Sequence, residues 1–244
     1  MSEVLLKRVK LLVLTSIFTA LVFAATVCFT VYTPATKGYF NLGETMVYTA
    51  ALLAGPWVGA LAGGVGSALA DVFLGFGYYA PGTLVIKGIE GFIVGYLSSV
   101  ARRLGRRFWS STLLVLAALS TLLVVLVCIP YYSGVTELVL GSHKVVLYIP
   151  WFVWVLVLVL FLCFLTYIGF KVDPRSGAEG LCVVVGGCCM VLGYFLYEAY
   201  VLGFGVYYAA FEVPVNIGQL TVGLIVSLPV VRSVRSVLGR DTVW

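Results

Sequence analysis

Long apolar runs, broken at intervals by short clusters of glycine, proline and charge, organise this chain. A helix needs about 20 mostly apolar residues to cross the hydrocarbon core of a bilayer. Leu11 to Tyr32 meets that length, and a polar loop from Pro34 to Leu42 follows it, holding Lys37, Gly38 and Asn41. The next run, Thr45 to Gly75, is too long for one untilted span at about 1.5 Å per residue. Gly55-Pro56 interrupts it, and proline takes a donor out of the helical ladder. The run therefore reads as two helices, 45–54 and 56–75. Further segments are expected at 82–99, 111–130, 148–170, 179–203 and 214–231, which makes eight in all, with short loops at 75–81, 131–147 and 204–213.

Charge placement tests the break. With a turn at Gly55-Pro56, all but three of the 15 basic residues fall on one side of the membrane, the three being Lys37, Lys87 and Lys144. Without it the basic residues divide between the two sides. Basic loops mark the cytoplasmic face, so the break is preferred and both termini are expected there. The first apolar run continues past Ala24-Ala25 to Tyr32, longer than the core of a cleaved leader, and is expected to be a membrane helix.

Composition agrees. The chain is 62% hydrophobic and 10% charged, with a mean hydropathy of +1.12, whereas soluble domains hold about 25% charged residues. An all-α polytopic protein with a single membrane domain over 1–244 is expected. The net charge of +5 does not point to nucleic acid, because the basic residues sit at the ends of apolar segments. The six cysteines form no CxxC pair and read as small apolar residues. The one histidine, His143, stands in a short outer loop, and no metal or cofactor is expected. GTLVIKG around Lys87 lacks the second glycine and the Lys-Ser/Thr of a phosphate-binding loop, and neither HExxH nor GxSxG occurs. Neither ATP hydrolysis nor another enzymatic activity is expected.

Ionisable groups inside membrane helices carry the candidate chemistry, since each costs at least about 2.5–3.5 kcal/mol to insert. They are Glu44, Asp71, Lys87, Glu90, Glu198 and Glu212. Lys87 and Glu90, at i and i+3, suit an ion pair with each other as well as a ligand contact. Asn216 and Gln219 add amides at the same spacing. The stretch from Asp71 through Gly75, Gly77, Tyr78 and Tyr79 is echoed by Glu198, Gly203, Gly205, Tyr207 and Tyr208, with a proline after each (Pro81, Pro214). Such an internal parallel repeat occurs in transporters. Tyr39, Phe40, Phe76 and Phe211 join these tyrosines, either as interface anchors or as a platform for a flat ring. Five acids against one base lean towards a weakly basic ring, of pyridoxine-like or pyrimidine type.

At several of these places the chain resembles the substrate-binding S components of energy-coupling factor (ECF) transporters, above all the riboflavin-type group, which also contains proteins for other vitamins and precursors. The matching features are Ala20 and Ala24 as AxxxA on the first helix; NLGE, Asn41 to Glu44; AGPWVGALAGGVGSALADVFLG, Ala54 to Gly75; APGTLVIKGIEGFIVG, Ala80 to Gly95; and the late stretch from Gly193 through EVPVNIGQLTVG, Glu212 to Gly223. The resemblance covers about residues 5–104 and 179–235. It implies a six-helix core (11–32, 45–54, 56–75, 82–99, 179–203, 214–231) that holds a vitamin-like molecule under outer loops. A membrane coupling subunit and two ATPase subunits would drive uptake, with Ala20 and Ala24 against the coupling subunit. It places the ligand near Asn41, Tyr78, Tyr79, Lys87, Tyr207, Tyr208, Glu212, Asn216 and Gln219. Glu44, Asp71, Glu90 and Glu198 complete the candidate site from the charge argument. Ser110 to Arg175 departs from the family as an inserted hairpin, 111–170, that either packs at the periphery or obstructs the coupling surface. The competing expectation is a stand-alone proton-coupled transporter working through Asp71, Glu90 or Glu198.

Overall fold

The computed structural model describes residues 3–33, 38–104, 106–140 and 143–238. The protein is an all-α polytopic membrane protein whose described helices include seven long and apolar enough to cross a bilayer. The chain forms two compact units, one of 1–103 with 178–244 and one of 104–177.

In the first unit, α1 (Glu3–Cys28) is followed by a hairpin, β1 (Thr30–Thr33) and β2 (Gly38–Asn41), paired from Thr30↔Asn41 to Thr33↔Gly38. The helix thus stops short of Tyr32, where Thr30, Val31 and Thr33 favour extended backbone through their branched Cβ atoms. Part of the expected polar loop is strand; its residues 34–37 lie outside the described residues.

The break at Gly55 is present. α2 (Gly43–Ala54) ends there and α3 (Pro56–Phe73) begins with proline in its first turn, where a missing N–H costs nothing. Gly55 has φ 88°, a conformation that only glycine adopts freely. Pro56 offers no N–H to the Leu52 carbonyl four residues earlier. Two arginines take its place: Arg235 Nη2 donates to Leu52 O at 2.8 Å and Arg102 Nη1 at 3.3 Å. Arg235 Nη1 also donates to Glu179 Oε1 at 2.7 Å.

α3 crosses α4 (Ala80–Leu104) at near backbone contact. A Cβ on Gly91 would lie 2.2 Å from Gly59 O, and one on Gly95 2.6 Å from Pro56 Cα. Gly59, Gly91 and Gly95 therefore form the seam between these helices, where small residues permit the close approach that packing in lipid relies on. α4 starts at Ala80, with Pro81 in its first turn.

α8 (Pro174–Leu196) runs into a π-helical turn, Tyr197–Val201, and α9 spans Val206–Leu238. Here the sequence expectation is corrected. The segment 204–213 is not a loop up to Pro214, because α9 already includes Val206 to Val213 and carries Pro214 and Pro229 inside it. Proline is tolerated within membrane helices where neighbours take up the freed carbonyl. The core joins α1, α2, α3, α4, α8 and α9 through Val22, Val47, Tyr48, Leu52, Val58, Val94, Val183 and Val231.

The second unit contains α5 (Arg106–Leu123), a π-helical turn (Val124–Cys128), α6 (Ile129–Tyr132), the hairpin β3 (Gly134–Leu140) and β4 (His143–Ile149), and α7 (Trp151–Lys171). The expected loop 131–147 is largely this hairpin, paired from Gly134↔Ile149 to Leu140↔His143. Its density of β-branched residues favours strand. The His143 and Lys144 side chains, and all of Arg240, lie outside what is described. Indole ring atoms of Trp109 stand 2.5 Å from where a Cβ on Gly177 would sit, so this glycine is a packing requirement.

Candidate functional site

Five helices of the first unit, all but α2, and the strand β2 contribute to one polar hollow. Thr26 comes from α1, and Gly38, Tyr39 and Asn41 from β2 and its end. Ser67 and Asp71 come from α3, Tyr79, Thr83 and Lys87 from the start of α4, Tyr194 and Glu198 from α8 and its π turn, and Glu212, Asn216 and Gln219 from α9. Helical spacing accounts for the set. Ser67 and Asp71, Thr83 and Lys87, and Glu212 and Asn216 are each four residues apart, so each pair shares a helix face. The hollow is narrow, with a cavity volume of about 40 Å³. Small-molecule pockets usually measure about 300–1,000 Å³, so a ring-sized guest requires side chains to move aside.

Of the three carboxylates that line the hollow, Asp71 and Glu198 are each met by a tyrosine. Tyr39 Oη donates to Asp71 Oδ1 at 2.5 Å, and Tyr79 Oη donates to Glu198 Oε1 at 3.3 Å. Burial first, and then the Asp71 charge, push the Tyr39 phenol well above its ordinary pKa. Burial, then Glu198 and Glu212, do the same to Tyr79. Both phenols therefore stay protonated and donate.

The sequence echo has a backbone counterpart. Leu74 N donates to Ala70 O, four residues back, and Phe76 N to Asp71 O at 2.7 Å; in the second copy Leu202 N donates to Tyr197 O, five residues back, and Phe204 N to Glu198 O at 3.0 Å. The second copy has one more residue between its acid and its glycine, and the π turn absorbs it. Gly75 and Gly203 both turn the chain with positive φ, 88° and 72°.

Lys87 has a different role from the two acids. Its ammonium is in ion-pair contact with Glu44 and lies 3.5 Å from Glu90 Oε2. Tyr48 Oη donates to Glu90 Oε1 at 2.7 Å. All three charged groups are buried, and a buried charge persists only when paired and hydrogen-bonded. Tyr194 donates to Thr83 Oγ1 at 3.0 Å, and Gln219 Nε2 to Asn216 Oδ1 at 3.2 Å. Asn41 Oδ1 accepts from Gly43 N at 2.8 Å, which ties the hollow's rim to the start of α2.

Of the residues expected from sequence, Asn41, Asp71, Tyr79, Lys87, Glu198, Glu212, Asn216 and Gln219 line the hollow. Glu44 and Glu90 stand behind Lys87. Tyr78, Tyr207 and Tyr208 do not line it, at 42%, 73% and 54% exposed. The two tyrosines of α9 are turned out because they lie on a helix rather than a loop. Sequence reasoning passed over Thr26, Ser67, Thr83 and Tyr194. The i, i+4 partners of Asp71 and Lys87 were a usable signal for Ser67 and Thr83; Tyr194 carried none. Among the described residues no three of His, Cys, Asp and Glu are grouped to hold a metal ion.

The family model for the ECF-type riboflavin transporter, S component, matches residues 7–139. Over 90 residues the chain is 36% identical to the thiamine precursor transporter HmpT of Lactococcus lactis subsp. cremoris (strain MG1363), covering 36% of this chain and 54% of the relative. Over 73 residues it is 55% identical to an uncharacterized protein of Pyrococcus woesei, covering 30% of this chain and 49% of the relative. The chain spans about half the length of these curated relatives.

Proposed function

The chain belongs to the family of ECF-type riboflavin transporter S components, and from that premise we propose that it captures a small heteroaromatic vitamin or vitamin precursor for uptake. The observation that carries this reading is the hollow itself: buried carboxylates, amides and hydroxyls converge from five helices and the strand β2 on one space beside tyrosine rings. Polar groups are not kept in a membrane core without a task. The similarity to a thiamine precursor transporter supports a guest of vitamin-precursor size.

The energising partners are an ECF membrane coupling subunit and two ATPase subunits. Ala20 and Ala24, both exposed on α1, form the contact with the coupling subunit, where small side chains let another helix approach closely. Both termini face the cytoplasm, in keeping with the placement of the basic residues. The segment 111–170 is an insertion into a six-helix core.

The test is direct. Purified protein binds one member of a vitamin and precursor panel tightly and hydrolyses no ATP, and uptake in cells stops when the ATPase partners are inactivated. Failure to bind any panel member, together with uptake that persists without the ATPases, rejects the proposal. A second reading, stand-alone proton-coupled transport, draws on the buried Asp71, Glu90 and Glu198. Proton-dependent flux in liposomes holding this chain alone would establish it instead.

A further inference from the structure

The corresponding acids of the two repeat copies are held in the same way. Asp71 is 4% and Glu198 1% exposed, and both line the hollow. In each, a tyrosine fixes one carboxylate oxygen: Tyr39 donates to Asp71 Oδ1 and Tyr79 to Glu198 Oε1. The other oxygen, Asp71 Oδ2 in one and Glu198 Oε2 in the other, receives no hydrogen bond from the described residues. A buried acceptor left without a donor is costly, and more so on a carboxylate. Lys87, the described basic group of the hollow, is engaged by Glu44 and Glu90 instead. Asp71 comes from α3 and Glu198 from the π turn after α8, so the two open oxygens belong to different walls of one narrow space.

Resting on the capture reading above, we infer that Asp71 and Glu198 are a two-point grip for a ring that carries a hydrogen-bond donor, N–H or O–H, on each of two edges. One donor meets Asp71 Oδ2 and the other Glu198 Oε2. Tyr39 and Tyr79 are positioning residues: each pins its carboxylate through the first oxygen and so presents the second in a set direction, which lowers the cost of binding. The donors need no charge of their own, because the acceptors carry it. A ring lacking one donor leaves a buried carboxylate oxygen unmet, and a site built around such bonds rejects the deficient analogue far more strongly than an apolar pocket rejects a missing methylene. A ring with acceptors on both edges sets lone pairs against lone pairs and is excluded.

The test uses the full chain in lipid nanodiscs and pyridines of one shape, titrated by calorimetry at a pH where the rings are neutral. The compound 5-(hydroxymethyl)pyridin-3-amine carries both donors. One donor each remains in 5-ethylpyridin-3-amine and (5-methylpyridin-3-yl)methanol, and none in 3-ethyl-5-methylpyridine. The two-donor ring is expected to bind at least about 10-fold more tightly than either one-donor ring, the range of one hydrogen bond to a charged group, with the donor-free ring weakest. In Asp71→Asn the tyrosine keeps the remaining carbonyl, and an amide N–H group stands where the open oxygen was. That variant is expected to reduce the preference for one donor to less than about 3-fold and to keep the other, while Glu198→Gln does the reverse. A merely structural role for the acids would weaken all the rings alike. The wild-type ranking decides even if a variant does not fold. Equal or tighter binding of a one-donor or donor-free ring overturns the inference while leaving capture intact, as do folded variants that both lose the same donor preference or lose neither. If a vitamin binds and none of the pyridines competes with it, the inference falls alone. If no pyridine and no vitamin binds, the capture reading falls with it.

Discussion

Arg235→Ala tests the account of how the first unit is locked at the end of α2 away from Glu44. Arg235 makes two bonds there, 2.7 Å to Glu179 Oε1 and 2.8 Å to Leu52 O, with its side chain 11% and that of Glu179 3% exposed. Truncation leaves Glu179 buried without its partner, which typically costs about 3–5 kcal/mol. It also leaves the Leu52 carbonyl with only the longer Arg102 bond of 3.3 Å, where losing a donor costs about 1–3 kcal/mol. The two losses share one side chain and some relief from solvent, so they do not sum, and about 3 kcal/mol is expected. Glu179→Gln keeps an acceptor of the same shape and should lose about 1–2 kcal/mol. In the double variant the coupling should appear as a total smaller than the sum. Lysine at 235 has one charged head where two acceptors must be met, so Arg235→Lys should fall between wild type and alanine. Reversible unfolding in mixed micelles under increasing dodecyl sulfate, followed by circular dichroism, gives these differences. An Arg235→Ala protein within about 0.5 kcal/mol of wild type, the range of an ordinary surface change, refutes the reasoning.

Three further expectations follow from the same geometry. Gly91→Ala places a methyl 2.2 Å from Gly59 O, whereas Gly88→Ala meets nothing nearer than 3.6 Å; the first should destabilise by about 1–3 kcal/mol and the second should be near neutral in the same unfolding assay. Lys87→Met leaves Glu44 and Glu90 without their cation and should cost about 3–5 kcal/mol, much of it recovered by adding Glu44→Gln. Tyr39→Phe removes the donor on Asp71 and should weaken ligand affinity about 10-fold with the circular dichroism spectrum unchanged; equal affinity would separate Asp71 from the site.

The long apolar runs made the helices legible, and Gly55-Pro56 made the division between α2 and α3 legible, because both signals are local. Pro214 misled for the same reason. A proline is a break only where nothing else holds the turn, and α9 is packed on both sides of it, with Ala209 and Glu212 buried before Pro214 and Asn216 and Gln219 after. The two hairpins were missed because β-branched runs between membrane segments look like any apolar stretch. The buried charges announced the site by their cost alone, which is why Asp71, Lys87, Glu198 and Glu212 were found. Thr83 and Tyr194 were not, since hydroxyls are cheap in a membrane helix and acquire meaning only through a partner on another helix. The pairing of Lys87 with Glu44 as well as Glu90 joins two helices distant in sequence, and spacing along one helix could not supply it.

The central claim is that the hollow lined by β2, α1, α3, α4, α8 and α9 holds one guest. Native mass spectrometry of the purified protein, wild type beside Asn216→Leu, tests it most directly, because Asn216 lines the hollow, is buried, and accepts from Gln219. The account predicts a single small molecule bound one-to-one in the wild type and lost from the folded variant. A ligand retained undiminished by Asn216→Leu would contradict it.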